Sequence, residues 1–153
     1  MRTSLVPTTT TLPGTPRAAA AARAYTRRAV ARHAPAMPMD RIDDLCLVVS
    51  ELVTNAIRYG TEPGDKLALK VVLSADRARI EVHDPVRRRP RPRPESCDRT
   101  SGRGLLVVAA LAESWGTDDR PLGKIVWAEL AWATPPNQAI AQRDAALTRS
   151  HQR

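Results

Sequence analysis

Between Ile42 and Ile57 the apolar residues recur at helical spacing. At about 100° per residue, Ile42, Leu45, Cys46, Val49, Leu52, Val53, Ala56 and Ile57 share one broad arc. Asp44, Glu51, Asn55 and Arg58 gather on the opposite side, interrupted there by Leu47 and Val48. Asp40 can cap the start of this helix, and Gly60 after Tyr59 reads as its C-terminal stop. An earlier helix is expected from Thr15-Pro16, an N-cap followed by a first-turn proline, to about His33. Its apolar face is thin, consisting of Ala18, Ala22, Tyr25, Thr26 and Ala29 with arginines on the flanks. The period then changes to two. Leu67 to Leu73 alternates as a strand, the chain turns at Ala75-Asp76-Arg77, and a strand ending at Asp84 pairs back. A third helix is expected from about Gly104 to Trp115, followed by a hairpin of Trp115–Asp118 with Lys124–Trp132. Thr8 to Leu12 can add an edge strand. This order predicts an α/β (α+β) two-layer sandwich, a mixed, mostly antiparallel sheet with helices on one face.

The 153 residues suit one domain of ordinary size. Residues 1–14 read as a flexible N-terminus, 15–132 as the folded domain, 85–100 as an Arg/Pro-rich lid, and 133–153 as a tail with no nameable chemistry. Only 3% of residues are aromatic and none is Phe, so aliphatic side chains must fill the core. No apolar run approaches a membrane span, and Met1 to Pro7 lacks the apolar centre of a signal peptide. Cys46 belongs to the core arc and Cys97 to the Arg/Pro segment, which argues against a disulfide framework and for a cytoplasmic protein. His33, His83 and His151 lack metal-ligand spacing.

The formal net charge of +8 raises nucleic-acid binding as a reading. Much of the excess lies in the helix after Pro16 and in Arg87-Arg88-Arg89-Pro90-Arg91-Pro92-Arg93-Pro94. That segment has no aromatic residue for base stacking, which argues against single-stranded nucleic acid. Arginine clusters also suit nucleotide phosphates and acidic protein partners.

Three segments carry candidate chemistry. Glu51 and Asn55 lie four residues apart on the polar arc, so both can address one ligand. An acid that takes a proton beside a neutral oxygen that binds a hard cation suits Mg-nucleotide chemistry. The plainer alternative is a solvated helix face. In Ala78-Arg79-Ile80-Glu81-Val82-His83-Asp84, alternation sets Asp84 on the apolar side with Ile80 and Val82. A carboxylate there needs donors, which a ligand amine would supply, or it is simply a turn cap before Pro85. Ser101-Gly102-Arg103-Gly104-Leu105 reads as a glycine turn opening a helix, where backbone N–H groups can approach a phosphate. Tight turns use the same pattern.

Together these segments resemble the GHKL (Bergerat-fold) ATP-binding domain, a histidine-kinase-like ATPase domain, in its anti-sigma-factor serine/threonine kinase branch. Glu51-Leu52-Val53-Thr54-Asn55-Ala56 is similar to the N box, Asp84 stands in the place of the G1 aspartate, and Gly102-Arg103-Gly104-Leu105 is similar to the G2 box. Gly123 to Leu130 resembles the last strand, and Gly14-Thr15-Pro16-Arg17 before an Ala/Arg-rich helix resembles the opening of the kinase branch. The resemblance covers roughly residues 8 to 132.

It implies ATP and Mg²⁺ as cofactors, Glu51 as general base, Asn55 as the Mg²⁺ ligand, and Asp84 as acceptor for the adenine amine. Gly102, Arg103, Gly104 and Leu105 would hold the phosphates. It further implies transfer to a serine of a small antagonist protein, a sigma factor as second partner, and a homodimer. This chain departs from the pattern where Pro85 and Val86 replace glycines, where Ile125 stands for an adenine-holding threonine, and where the Arg/Pro segment replaces the lid. Those departures motivate a rival reading, a nucleotide- or partner-binding module without phosphotransfer.

Overall fold

The computed structural model describes residues 4–62, 64–84, 98–121 and 123–132, with side chains described from Gly104 onward in the third stretch. Eight elements follow one another: β1 (Val6–Pro13), α1 (Ala18–His33), α2 (Met39–Gly60), β2 (Lys66–Leu73), β3 (Arg77–Asp84), α3 (Asp98–Leu111), β4 (Ser114–Arg120) and β5 (Gly123–Ala131). The strands form a five-stranded sheet in the order β1-β2-β3-β5-β4. All four pairings are antiparallel. The expected edge strand, both inner strands and the hairpin are present, and the two-layer architecture is the one anticipated.

Alternation sorts the strands into two chemistries. Leu12, Leu67, Leu69, Val71, Leu73, Ala78, Ile80, Val82, Val126, Ala128 and Leu130 point to one side, where they join residues of all three helices in a single core. The filling is aliphatic except for Trp132, as the lack of Phe requires. Residues between them form an outer face that mixes a charged cluster with Val72, Ile125 and Trp127. Arg79 donates from Nε to Glu81 (2.9 Å) and from Nη1 to Glu129 (2.8 Å), and its guanidinium lies 4.2 Å from the centre of the Trp127 ring. His83 Nε2 donates to the other oxygen of Glu81 at 2.9 Å. Burial works against the ionised Glu81, yet hydrogen bonds from Arg79 and His83 and the charge of Lys70 hold its pKa below the ordinary glutamate value.

Helix ends differ from the sequence reading. The structure gives α1 Arg17 as N-cap, with no side-chain cap bond, rather than Thr15. Met39 begins α2 after Pro38, so Asp40 sits in its first turn, where its charge still favours the helix dipole. Gly60 is not a left-handed stop. It is the last helical residue, the extended Thr61 follows, and Thr61 Oγ1 donates to Ile57 O at 3.0 Å. Among the described glycines only Gly64 has a positive φ, 92°. The largest revision concerns α3, which starts at Asp98 and ends at Leu111, so Trp115 belongs to β4. The described residues include no helix long and apolar enough to cross a membrane.

Candidate functional site

The two flanks of α2 are built differently. Toward α1, polar groups are joined within the chain: Arg23 Nη1 donates to Ser50 Oγ at 2.9 Å, and Arg27 pairs with Asp43 at 3.0 Å. Toward α3, Glu51 and Asn55 are half-buried, one turn apart on the helix. Val48, which interrupts the polar arc in the sequence, is fully buried, while Leu47 stays exposed. Asp44 belongs to neither site nor core and pairs with Arg41 at 3.2 Å. Arg58 is exposed.

Glycine brings α3 close to this flank. A Cβ on Gly104 would stand 2.8 Å from Oε2 of Glu51, so the carboxylate occupies space that any other residue at 104 would contest. Glu51 and Gly104, distant in sequence, are thus neighbours. Gly102, Arg103, Gly104 and Leu105 lie inside α3 rather than in a turn before it. That corrects the expected phosphate turn, because N–H groups past the first four of a helix bond within it. Leu105 is half-buried; the side chains of residues 98–103 lie outside the described set, as do the Arg/Pro segment over residues 85–97, including Cys97, and the tail from 133.

Asp84 ends β3 on the helix-covered side of the sheet, as alternation predicts. Its cross-strand partner is Lys124, the next inward pair after Val82–Val126. Ile125 pairs with His83, on the outer-face register, so it does not stand opposite Asp84. Lys124 and Val126 are the β5 residues on the Asp84 side. Oδ1 of Asp84 is sealed from solvent. Gly60 lies directly against the carboxylate: a Cβ there would overlap it, and even Oδ1 would be only 2.9 Å away. The sequence marks Asp84 as a candidate but presents Gly60 as helix punctuation, since no local signal reports a contact made between elements.

These residues lie along α2 and mark a candidate nucleotide groove beside it. With a rise of about 1.5 Å per residue, Glu51 stands roughly 13 Å along the axis from Gly60 and Asp84, a length that an extended nucleoside triphosphate spans. Among the described residues, no group of three or more His, Cys, Asp or Glu could hold a metal. Mg²⁺, however, commonly takes one or two protein oxygens and completes its shell with substrate phosphates and water, and the Asn55 amide oxygen beside Glu51 fits that role. An open cavity of about 410 Å³ lies elsewhere, at the start of α2, lined by Pro38, Asp40, Arg41, Ala131 and Trp132. It shares no residue with the groove.

A long helix set against the end of a central strand, on an antiparallel sheet with helices on one side, defines a class. The histidine kinase-like ATPase domain model matches residues 12–130, and the chain belongs to that family. Its fold is similar to the crystal structure of the RsbU and RsbW domains of a Mycobacterium tuberculosis protein, with a TM-score of 0.64 and 21% identity. That match covers 85% of this chain and 33% of the other, so the chain spans about a third of its neighbour's length. No curated protein sequence matches.

Proposed function

We propose that the protein is an ATP-dependent protein serine/threonine kinase of the anti-sigma-factor type. The single observation that carries this is the approach of Glu51 to Gly104 and of Asp84 to Gly60, both along α2. Membership of the histidine kinase-like ATPase family supports ATP as the nucleotide. The fold neighbour, whose described domains are RsbU and RsbW, agrees with the family resemblance; that resemblance implies an antagonist protein as phosphoacceptor and a sigma factor as second partner.

In this reading, Asp84 accepts a hydrogen bond from the adenine amine and disfavours guanine, which presents an acceptor there. Asn55 holds Mg²⁺ through its amide oxygen. When bound, the ion neutralises phosphate charge. Glu51 accepts the proton of the serine hydroxyl as its oxygen bonds the γ-phosphorus and the bond to the bridging β–γ oxygen breaks, leaving ADP. The phosphates lie on the side of α2 that faces Gly104 and Leu105 of α3. The helical state of Gly102 and Gly104 favours a second reading, a nucleotide-gated binder without transfer.

Glu51→Ala separates the two. A base acts on the attacking hydroxyl rather than on ground-state affinity, so the variant should keep most MgATP binding while phosphotransfer falls about 10²–10⁴-fold. The assay uses an acceptor protein isolated by pull-down, with its serine followed by mass spectrometry. A wild-type protein that binds MgATP and the acceptor yet transfers no phosphate would leave only the binder.

A further inference from the structure

Gly60 has no conformational reason to be glycine. It ends α2 in helical geometry without a positive φ, and alanine is the better helix former there. Its surroundings supply a different reason. The carboxylate of Asp84, from a strand that begins after a further element, occupies the volume where any side chain at 60 would begin. All three terminal atoms of Asp84, Cγ and both oxygens, fall within that volume or at its edge.

The site of this contact matters electrically. A helix C-terminus carries a partial negative charge from its last carbonyl groups. One of these is covered by Thr61. Seating a carboxylate against that end sums two negative potentials at one spot. Such a spot attracts an amine edge and repels a carbonyl edge.

We propose that Gly60 is a positioning residue for base recognition: its missing side chain lets Asp84 seat at the negative end of α2 and makes the groove select a base bearing an amine. This rests on the reading of Asp84 as the adenine acceptor. A side chain at 60 displaces the carboxylate from the seat, so affinity and base selectivity are lost together although residue 60 contacts no base.

The test is a double-mutant cycle of Gly60→Ala and Asp84→Ala, each variant titrated calorimetrically with MgATP and MgGTP and melted without nucleotide. Gly60→Ala should weaken ATP binding about 10–100-fold, as loss of a hydrogen bond to a charged group does, and shrink the ATP preference. The double variant should bind no worse than Asp84→Ala within about threefold. Melting gives an independent reading of the contact. Gly60→Ala should lower Tm in the parent, yet raise it by roughly 2–6 °C on the Asp84→Ala background, where helix propensity acts unopposed. Should Gly60→Ala fail to fold, the double variant should recover the fold; failure of both overturns the proposal. So do wild-type affinity in folded Gly60→Ala, losses that multiply in the double variant, or the same Tm change on both backgrounds. If Asp84→Ala keeps full ATP affinity, the adenine reading fails, and the melting cycle still decides whether the two residues share one space.

Discussion

Strand β3 carries two carboxylates, Glu81 and Asp84, on opposite faces of the same sheet, and they are served in opposite ways. Glu81 faces outward among donors of its own chain, held by Arg79 and His83. Asp84 faces inward, and the residue packed on it is Gly60, which brings no side chain at all. A carboxylate wrapped in charged partners is tied into the architecture, because its donors are already engaged. A carboxylate set against a glycine is given room by the helix beside it, because no side chain at that position contests its place. The same contrast separates Asp43, paired with Arg27 on one flank of α2, from Glu51, lying against Gly104 on the other.

The sharpest way to break this comparison is to exchange the readouts. Asp84→Ala should weaken MgATP binding about 10–100-fold and reduce the preference for ATP over GTP. Arg79→Ala should leave that affinity unchanged and lower Tm by roughly 3–8 °C, because it strips hydrogen bonds from two half-buried carboxylates. Calorimetric titration and thermal melting of both variants check the pair. An Arg79 variant that loses nucleotide affinity would erase the distinction between the faces.

A smaller effect sharpens the outer-face half. The pKa of Glu81 is lowered in the folded protein, so it binds protons less readily there than in the unfolded chain. Its contribution to stability is therefore present above the unfolded value and is lost as pH falls through the folded value. For this residue the window opens near the ordinary glutamate value of 4.5 and extends to more acidic pH. Glu81→Gln should flatten the acid side of the Tm–pH curve while lowering Tm modestly at neutral pH. An acid limb identical to that of the parent would show that the network does not stabilise the ionised carboxylate.

Much of this was legible in the sequence, and the illegible parts share a physical cause. Alternation located β2, β3 and β5, and the apolar arc located α2, because burial on one face imposes a period that residues report locally. Glu51, Asn55 and Asp84 stand out as candidates through type and spacing. What failed depended on contacts between elements. Gly60 looks like punctuation after Tyr59, and only its meeting with Asp84 explains it. Ile125 and Lys124 are adjacent, so a register error of one residue exchanges their faces, and the register became visible only in the β3–β5 pairing. The start of α3 was hidden because Gly102 and Gly104 have poor helix propensity, although the helix extends through both.

The central claim is that the groove between Asp84 and Glu51 is an adenine-nucleotide site. Calorimetric titration of the wild-type protein with MgATP and MgGTP, side by side, tests it most directly. MgATP should bind saturably and MgGTP at least about tenfold more weakly, the difference of one hydrogen bond to a charged group. No binding of MgATP, or equal affinity for the two nucleotides, would contradict it.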